Sequence, residues 1–116
     1  MAELEYISVD RIHQHPDNPR KELGDLSELA DSIKVNGVLQ NLTVVPSYQV
    51  DAVEEQILRG VIDVPDDDQY VVIIGHRRLA AAKMAGLTEV PCVVASMTAK
   101  EQVQTMLMEN MQHERR

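Results

Sequence analysis

Two stretches of the chain bring together residue types able to do chemistry. The first is Val71-Val72-Ile73-Ile74-Gly75-His76-Arg77-Arg78-Leu79, where an apolar strand pattern runs through a glycine into a helix pattern with two arginines in its first turn. Unsatisfied amides and the positive end of the helix dipole sit at a helix N-terminus, glycine lets a ligand approach the backbone, and arginine grips phosphate oxygens with paired N–H groups. This layout predicts an anion site. The competing reading makes Arg77 and Arg78 surface charges or ion-pair partners, because the glycine pattern is shorter than a Walker or Rossmann fingerprint. The second stretch lies near the end of the chain. At about 100° per residue, Val103, Met106, Leu107 and Met111 share one stripe with Asn110 near its centre. An amide in a core-like position needs hydrogen-bond partners, either backbone or ligand. Glu109 and His113 lie one turn apart on the flank of that stripe, placed to share a metal or a phosphate-bound water. Alternatively, Glu109 is a solvated charge on the helix face.

Other chemistry finds less support. His13 and His15 lack a third ligand at metal spacing and read as surface histidines. Cys92 sits in the strand pattern Val90-Pro91-Cys92-Val93-Val94 and reads as a buried structural thiol rather than a nucleophile. The six methionines read as core filling, and no Ser-His-Asp arrangement can be assigned.

The elements that must position the two stretches follow from periodicity and turn chemistry. Tyr6 to Val9 alternates as a short edge strand, and His15-Pro16-Asp17-Asn18-Pro19-Arg20 is a turn fixed by two prolines. Asp25 and Glu28 have capping-box spacing, Leu26, Leu29, Ala30 and Ile33 share a helix face, and Gly37 after Asn36 is the left-handed stop. Leu42 to Val45 and Tyr70 to Ile74 read as buried strands. Between them, residues 47–69 read as an acidic, solvent-facing insertion with one short helix at Val53 to Leu58 and a loop at Asp66-Asp67-Asp68. A helix from His76 stops at Gly86, a strand runs from Val90 to Ala95, and Thr98 with Glu101 opens a last helix from about Ala99 to His113. The expected architecture is α+β: a small mixed sheet with three to four helices packed around it.

At 116 residues the chain fits one domain, read here as residues 1–116. With three aromatic residues, all tyrosine, there is little material for a base-stacking surface. A net charge of -8, from 11 basic and 19 acidic residues, repels a phosphate backbone overall, so any anion must be held locally. One cysteine excludes an internal disulfide or a multi-cysteine zinc site and suits a reducing cytoplasm. The N-terminal MAELEYISVDRI has neither the basic region nor the apolar run of a secretory signal, and no run approaches membrane-spanning length. A cytoplasmic protein is expected. The charged end MQHERR, directly after a helix pattern, suggests a piece of something longer.

Four segments resemble the N-terminal domain of the ParB partition-protein family, which shares its fold with sulfiredoxin. Asn18-Pro19-Arg20-Lys21 is similar to a shortened form of that family's Asn-Pro-x-x-Pro-Arg turn. Leu29-Ala30-Asp31-Ser32-Ile33-Lys34 through Gly37-Val38-Leu39-Gln40 resembles its first helix and the strand entry that follows. Gly75-His76-Arg77-Arg78-Leu79 resembles the Gly-Glu-Arg-Arg box, and Glu109-Asn110-Met111-Gln112 the Glu-Asn-x-Gln-Arg box, in the expected order. The resemblance implies CTP and Mg2+ as cofactors. Gly75, His76, Arg77 and Arg78 would hold phosphates, Gly37 to Gln40 would line the nucleoside pocket, and Glu109, Asn110 and Gln112 would order phosphates and metal, with Glu109 the metal ligand. Glu109 and Asn110 are the implied catalytic pair for slow hydrolysis to CDP. It further implies a CTP switch that closes a dimeric clamp on DNA, DNA contact through a helix-turn-helix region outside this sequence, a ParA-like ATPase partner, and a nucleoid- or plasmid-associated cytoplasmic location.

Three positions depart from the family pattern. His76 stands for its glutamate, Asn41 for the proline after the glutamine, and His113 for the arginine after Gln112, with Arg115 or Arg116 as substitutes. The first loses a carboxylate able to manage metal or water, which bears on hydrolysis more than on binding. Two other functions compete: a non-catalytic scaffold on the same fold, and a sulfiredoxin-like ATP-dependent phosphotransferase. The latter family carries its thiol in a Gly-Cys-His-Arg box, and Gly75-His76-Arg77 lacks it.

Overall fold

A computed structural model describes residues 4–50, 59–60 and 68–114, with side chains as far as Met111. The helix expected at Val53 to Leu58, Asp66 and Asp67, the Gln112 and His113 side chains, and Arg115 and Arg116 lie outside the described residues.

The described residues form strands β1 (Leu4–Ser8), β2 (Ile12–His13), β3 (Leu42–Pro46), β4 (Tyr70–Ile74) and β5 (Glu89–Val94), with helices α1 (Ser27–Asn36), α2 (His76–Met84) and α3 (Ala99–Glu114). The sheet order is β1-β5-β3-β4-β2. β1 runs antiparallel to β5 and β3 antiparallel to β4, while β3–β5 and β2–β4 are parallel. The sheet is therefore mixed, as expected for an α+β fold.

Period-2 alternation sends neighbouring side chains to opposite faces of a sheet, so a continuous apolar run belongs to a strand covered on both sides. β3 and β4 are such strands. Val44 and Val72 join the cluster beneath α1 and α2, with Ile33, Leu42, Leu79 and Val90. Val45, Val71 and Ile73 join the opposite cluster with Met106 of α3. Each such valine or isoleucine withdrawn from water contributes about 1.5–3 kcal/mol, so the sheet centre is the main source of cohesion.

Local sequence rules hold in some places and yield in others. Thr98 and Glu101 form the expected capping box: the Thr98 amide donates to Glu101 Oε1 at 2.9 Å and the Glu101 amide to Thr98 Oγ1 at 3.2 Å. The box expected at Asp25 and Glu28 does not form. Asp25 Oδ1 instead accepts from the Ser27 amide at 2.9 Å and from the Ser27 hydroxyl, and α1 begins at Ser27. Gly37 ends α1 at φ 73° and ψ -175°, a region open to glycine but beyond the left-handed helical well. The first strand starts at Leu4 and stops at Ser8, because Val9 turns into a three-residue 3-10 helix. Two-residue β2, too short to show a period, has no signature in the sequence.

Candidate anion-binding site

A cleft of about 250 Å³ opens where β4 passes through Gly75 into α2. Its floor is the first turn of α2. Gly75 holds φ 106° and ψ 29°, and a Cβ there would lie 3.1 Å from Leu42 Cγ, so both conformation and space call for glycine. As N-cap residue it supplies no side-chain cap. The first-turn amides, which have no partner within their own helix, are therefore left to the cleft.

Arg77 and Arg78 both line the cleft, and both are anchored by backbone carbonyls. Arg77 Nε donates to Leu23 O at 2.9 Å and Nη2 to Asp25 O at 3.1 Å. Arg78 Nη1 donates to Gln40 O at 3.2 Å and Asn41 O at 2.5 Å. Carbonyls orient a guanidinium without neutralising it. Among the described residues the side-chain ion pair is Arg11–Asp68, at 2.9 Å, and neither cleft arginine takes part in one. Their charge is thus available to a ligand.

The 18–23 segment forms a second wall and adds a cation that sequence reasoning left out of the site. Arg20 lines the cleft with Asn18 and Leu23. Asn18 shapes the turn, its Nδ2 donating to Arg20 O at 2.8 Å and its Oδ1 accepting the Arg20 amide at 3.4 Å. The two flanking prolines were the available signal: a rigid turn that carries an arginine presents it in one direction.

The third wall is α3, and here the expected stripe is rolled. Gln102 and Met106 face the sheet at 1% exposure each, and Val103 packs partly against it, whereas Leu107 and Met111 are exposed at 46% and 61%. The inward line runs through Gln102, Met106 and Glu109, spaced four and three residues apart, so Glu109 faces the cleft. Asn110 lies beside that line rather than central to an apolar stripe. Its Nδ2 donates to Met106 O at 2.7 Å and to Asn18 Oδ1 at 3.5 Å, joining this wall to the second. Glu109 Oε2 is buried and has no hydrogen-bond partner among the described residues. A carboxylate oxygen in that state is costly unless a cation or donor meets it.

That orphaned oxygen fits a divalent metal shared with a ligand. Among the described residues no group of three His, Cys, Asp or Glu side chains could hold an ion by itself. Magnesium suits such a place, since it usually takes one or two carboxylates and completes its shell with phosphate oxygens and water.

His76 lines the cleft, yet it is buried and its Nε2 accepts the His15 amide at 3.3 Å. Burial, and after it the nearby His15 ring, pushes its pKa down to about 4, so the ring is neutral near pH 7. His15 corrects the expectation of surface histidines: it is buried and bonded to Gln102 at 2.8 Å, while His13 is exposed and bonded to Gln69 at 2.6 Å. The corrected histidine gives no warning in its spacing, because its partner is 87 residues away. Gln40 lines the cleft with Leu29, but Gly37 does not. Cys92 is buried and its thiol is pushed up to about 11, mainly by that burial.

A family model described as the ParB N-terminal domain matches residues 1–111. Among curated proteins, the chain is 39% identical over 110 residues to the chromosome-partitioning protein Spo0J of Thermus thermophilus, covering 93% of this chain and 34% of that protein. It is 37% identical over 110 residues to a probable plasmid-partitioning protein ParB of Deinococcus radiodurans, covering 93% and 31%. The chain thus spans about a third of the length of these relatives. Among solved structures, truncated Caulobacter crescentus ParB complexed with CTP-gamma-S superposes with a TM-score of 0.73 at 29% identity, over 95% of this chain and 53% of that one. The parS-bound form of the same protein gives 0.69 at 26%, over 97% and 49%. Arabidopsis thaliana sulfiredoxin, at 0.56 and 20% identity over 90% and 97%, shares the fold.

Proposed function

The chain belongs to the ParB N-terminal domain family, and on that premise we propose that it is the CTP-binding switch module of a DNA partition or DNA-clamp protein. One observation carries the reading: three arginines that form no ion pair among the described residues, and a helix N-terminus without a side-chain cap, share one cleft with a buried Glu109 oxygen that finds no hydrogen-bond partner among those residues. A polyanion with a divalent cation satisfies both sides at once. The Caulobacter neighbour that holds CTP-gamma-S supports cytidine triphosphate as the ligand.

In this reading the α2 amides, Arg77 and Arg78 receive phosphate oxygens, and Arg20 closes over them from the 18–23 turn. Gln40 borders the nucleoside end. Glu109 would hold magnesium, which would supply positive charge to offset that of the triphosphate. Asn110, tied to Asn18, keeps the second and third walls together. Binding rather than turnover is the main event. His76 is a neutral imidazole whose Nε2 is already engaged by the His15 amide, leaving no carboxylate at that position to order an attacking water. In this reading DNA contact, self-association and a ParA-like partner at the nucleoid or on a plasmid are not functions of the cleft itself.

Isothermal titration with CTP, ATP and GTP in magnesium tests the reading, alongside the double variant Arg77→Ala, Arg78→Ala. We expect selective CTP binding, weakened at least a hundredfold in the double variant, since hydrogen bonds to charged groups contribute about 1.5–3 kcal/mol each. Equal binding of all three nucleotides would remove the CTP assignment. No binding of any would transfer the fold to the scaffold reading.

A further inference from the structure

Behind the cleft, a run of buried and part-buried hydrogen bonds joins its walls. The Asp17 amide donates to His15 Nδ1 at 3.0 Å, which leaves Nε2 as the ring nitrogen that donates, to Gln102 Oε1 at 2.8 Å. Gln102 Nε2 uses both its protons, on Gln49 O at 2.7 Å and Met97 O at 3.0 Å. The His15 amide continues the run to His76 Nε2. Thus the segment before α3, α3 itself, the proline-flanked turn and the first residue of α2 are linked. Each of the last three carries cleft residues: Glu109 and Asn110 on α3, Asn18 and Arg20 after the turn, Arg77 and Arg78 on α2.

We propose that His15 and Gln102 form a positioning unit for the nucleotide cleft, setting α3 at a fixed separation from the arginine wall so that one triphosphate reaches both. The inference rests on the nucleotide reading given above. Neither side chain lines the cleft, so both act through others. Apolar side chains would fill the same volume without the need for polar satisfaction, but apolar contacts tolerate sliding and rolling. Satisfied hydrogen bonds allow a much narrower set of geometries. The roll of α3 illustrates this, because Gln102, not Leu107, is the residue turned inward, and Glu109 follows it seven residues later. Losing such supporting contacts weakens ligand affinity without removing any direct contact.

The test uses the 116-residue chain with Gln102→Met, His15→Asn and the pair combined. Methionine keeps the volume of Gln102 while removing its polar groups. Asparagine at 15 can still accept the Asp17 amide, two residues on, but cannot reach Gln102. Each single variant should weaken magnesium–CTP binding by about tenfold, with CMP binding changed less than about twofold, because the shorter ligand does not have to span the walls. The combined variant should be no weaker than Gln102→Met alone, since that substitution already removes the His15 link along with the bonds to Gln49 and Met97. Unchanged CTP affinity with a lowered Tm overturns the proposal, as does equal weakening for CTP and CMP. If the unaltered chain binds neither nucleotide, the functional reading falls by itself, and amide hydrogen exchange without ligand decides the positioning claim. Faster exchange in Gln102→Met at the His15 and Asp17 amides, which donate to the His76 and His15 rings, with β3 and β4 unchanged, supports it; unchanged exchange there overturns it.

Discussion

The starts of α2 and α3 present the same backbone problem and solve it in opposite ways. At α3, Thr98 and Glu101 satisfy each other's amides, so the helix end is closed by its own sequence. At α2, Gly75 brings no side chain, and the residues that follow are cationic rather than acidic. A helix N-terminus carries partial positive charge in both cases. One is neutralised internally; the other has that charge reinforced by two guanidinium groups. The difference teaches that an anion site is recognised by what fails to cap a helix as much as by what surrounds it.

The comparison can be attacked at several strengths. The largest effect is expected from Gly75→Ala, which forces an L side chain into φ 106° and against Leu42 at 3.1 Å. Together these should cost about 3 kcal/mol. Urea unfolding measures this, and a variant as stable as the parent would show that the open N-terminus does not depend on glycine.

Next is the pH dependence attached to His76, the first residue of α2. Its folded pKa is about 4 against an ordinary 6.5, so the unfolded chain binds the extra proton first as pH falls. The contribution is fully present above pH 6.5 and lost progressively toward pH 4, amounting to at most about 3 kcal/mol. His76→Gln should flatten the Tm profile across that window. An unaltered slope would assign the acid sensitivity to other groups.

At the closed end, Thr98→Ala should cost about 1 kcal/mol, the usual value of an N-cap, with CTP affinity unchanged within about twofold. A loss of affinity there would mean that capping α3 matters to the cleft and would weaken the contrast. Smallest of all, Met111→Ala should change stability by less than about 0.5 kcal/mol, because that side chain is 61% exposed and lies off the inward line of α3.

How far the site could be read in advance varied with the range of the interactions involved. Gly75, Arg77, Arg78, Glu109 and Asn110 do lie together at one cleft, on elements whose periods and caps are visible locally. The sequence marks Arg20 as part of a turn but does not aim it at the cleft, because a turn's direction depends on what it packs against. His15 looked like a surface residue for the same reason. Apolarity alone rolls α3 the wrong way, because the residue turned inward, Gln102, is a glutamine.

The strand-to-helix junction at Gly75, the two-sided burial of β4 and the cap of α3 are written locally in the amino-acid sequence. Each depends on hydrogen bonds and side-chain periods that act within about four residues. That Gln102 faces inward, that His15 is buried and that a Glu109 oxygen finds no partner among the described residues all depend on long-range packing. A polar side chain is buried only where distant segments bring donors and acceptors to it, and Gln102 finds these in Gln49, Met97 and His15.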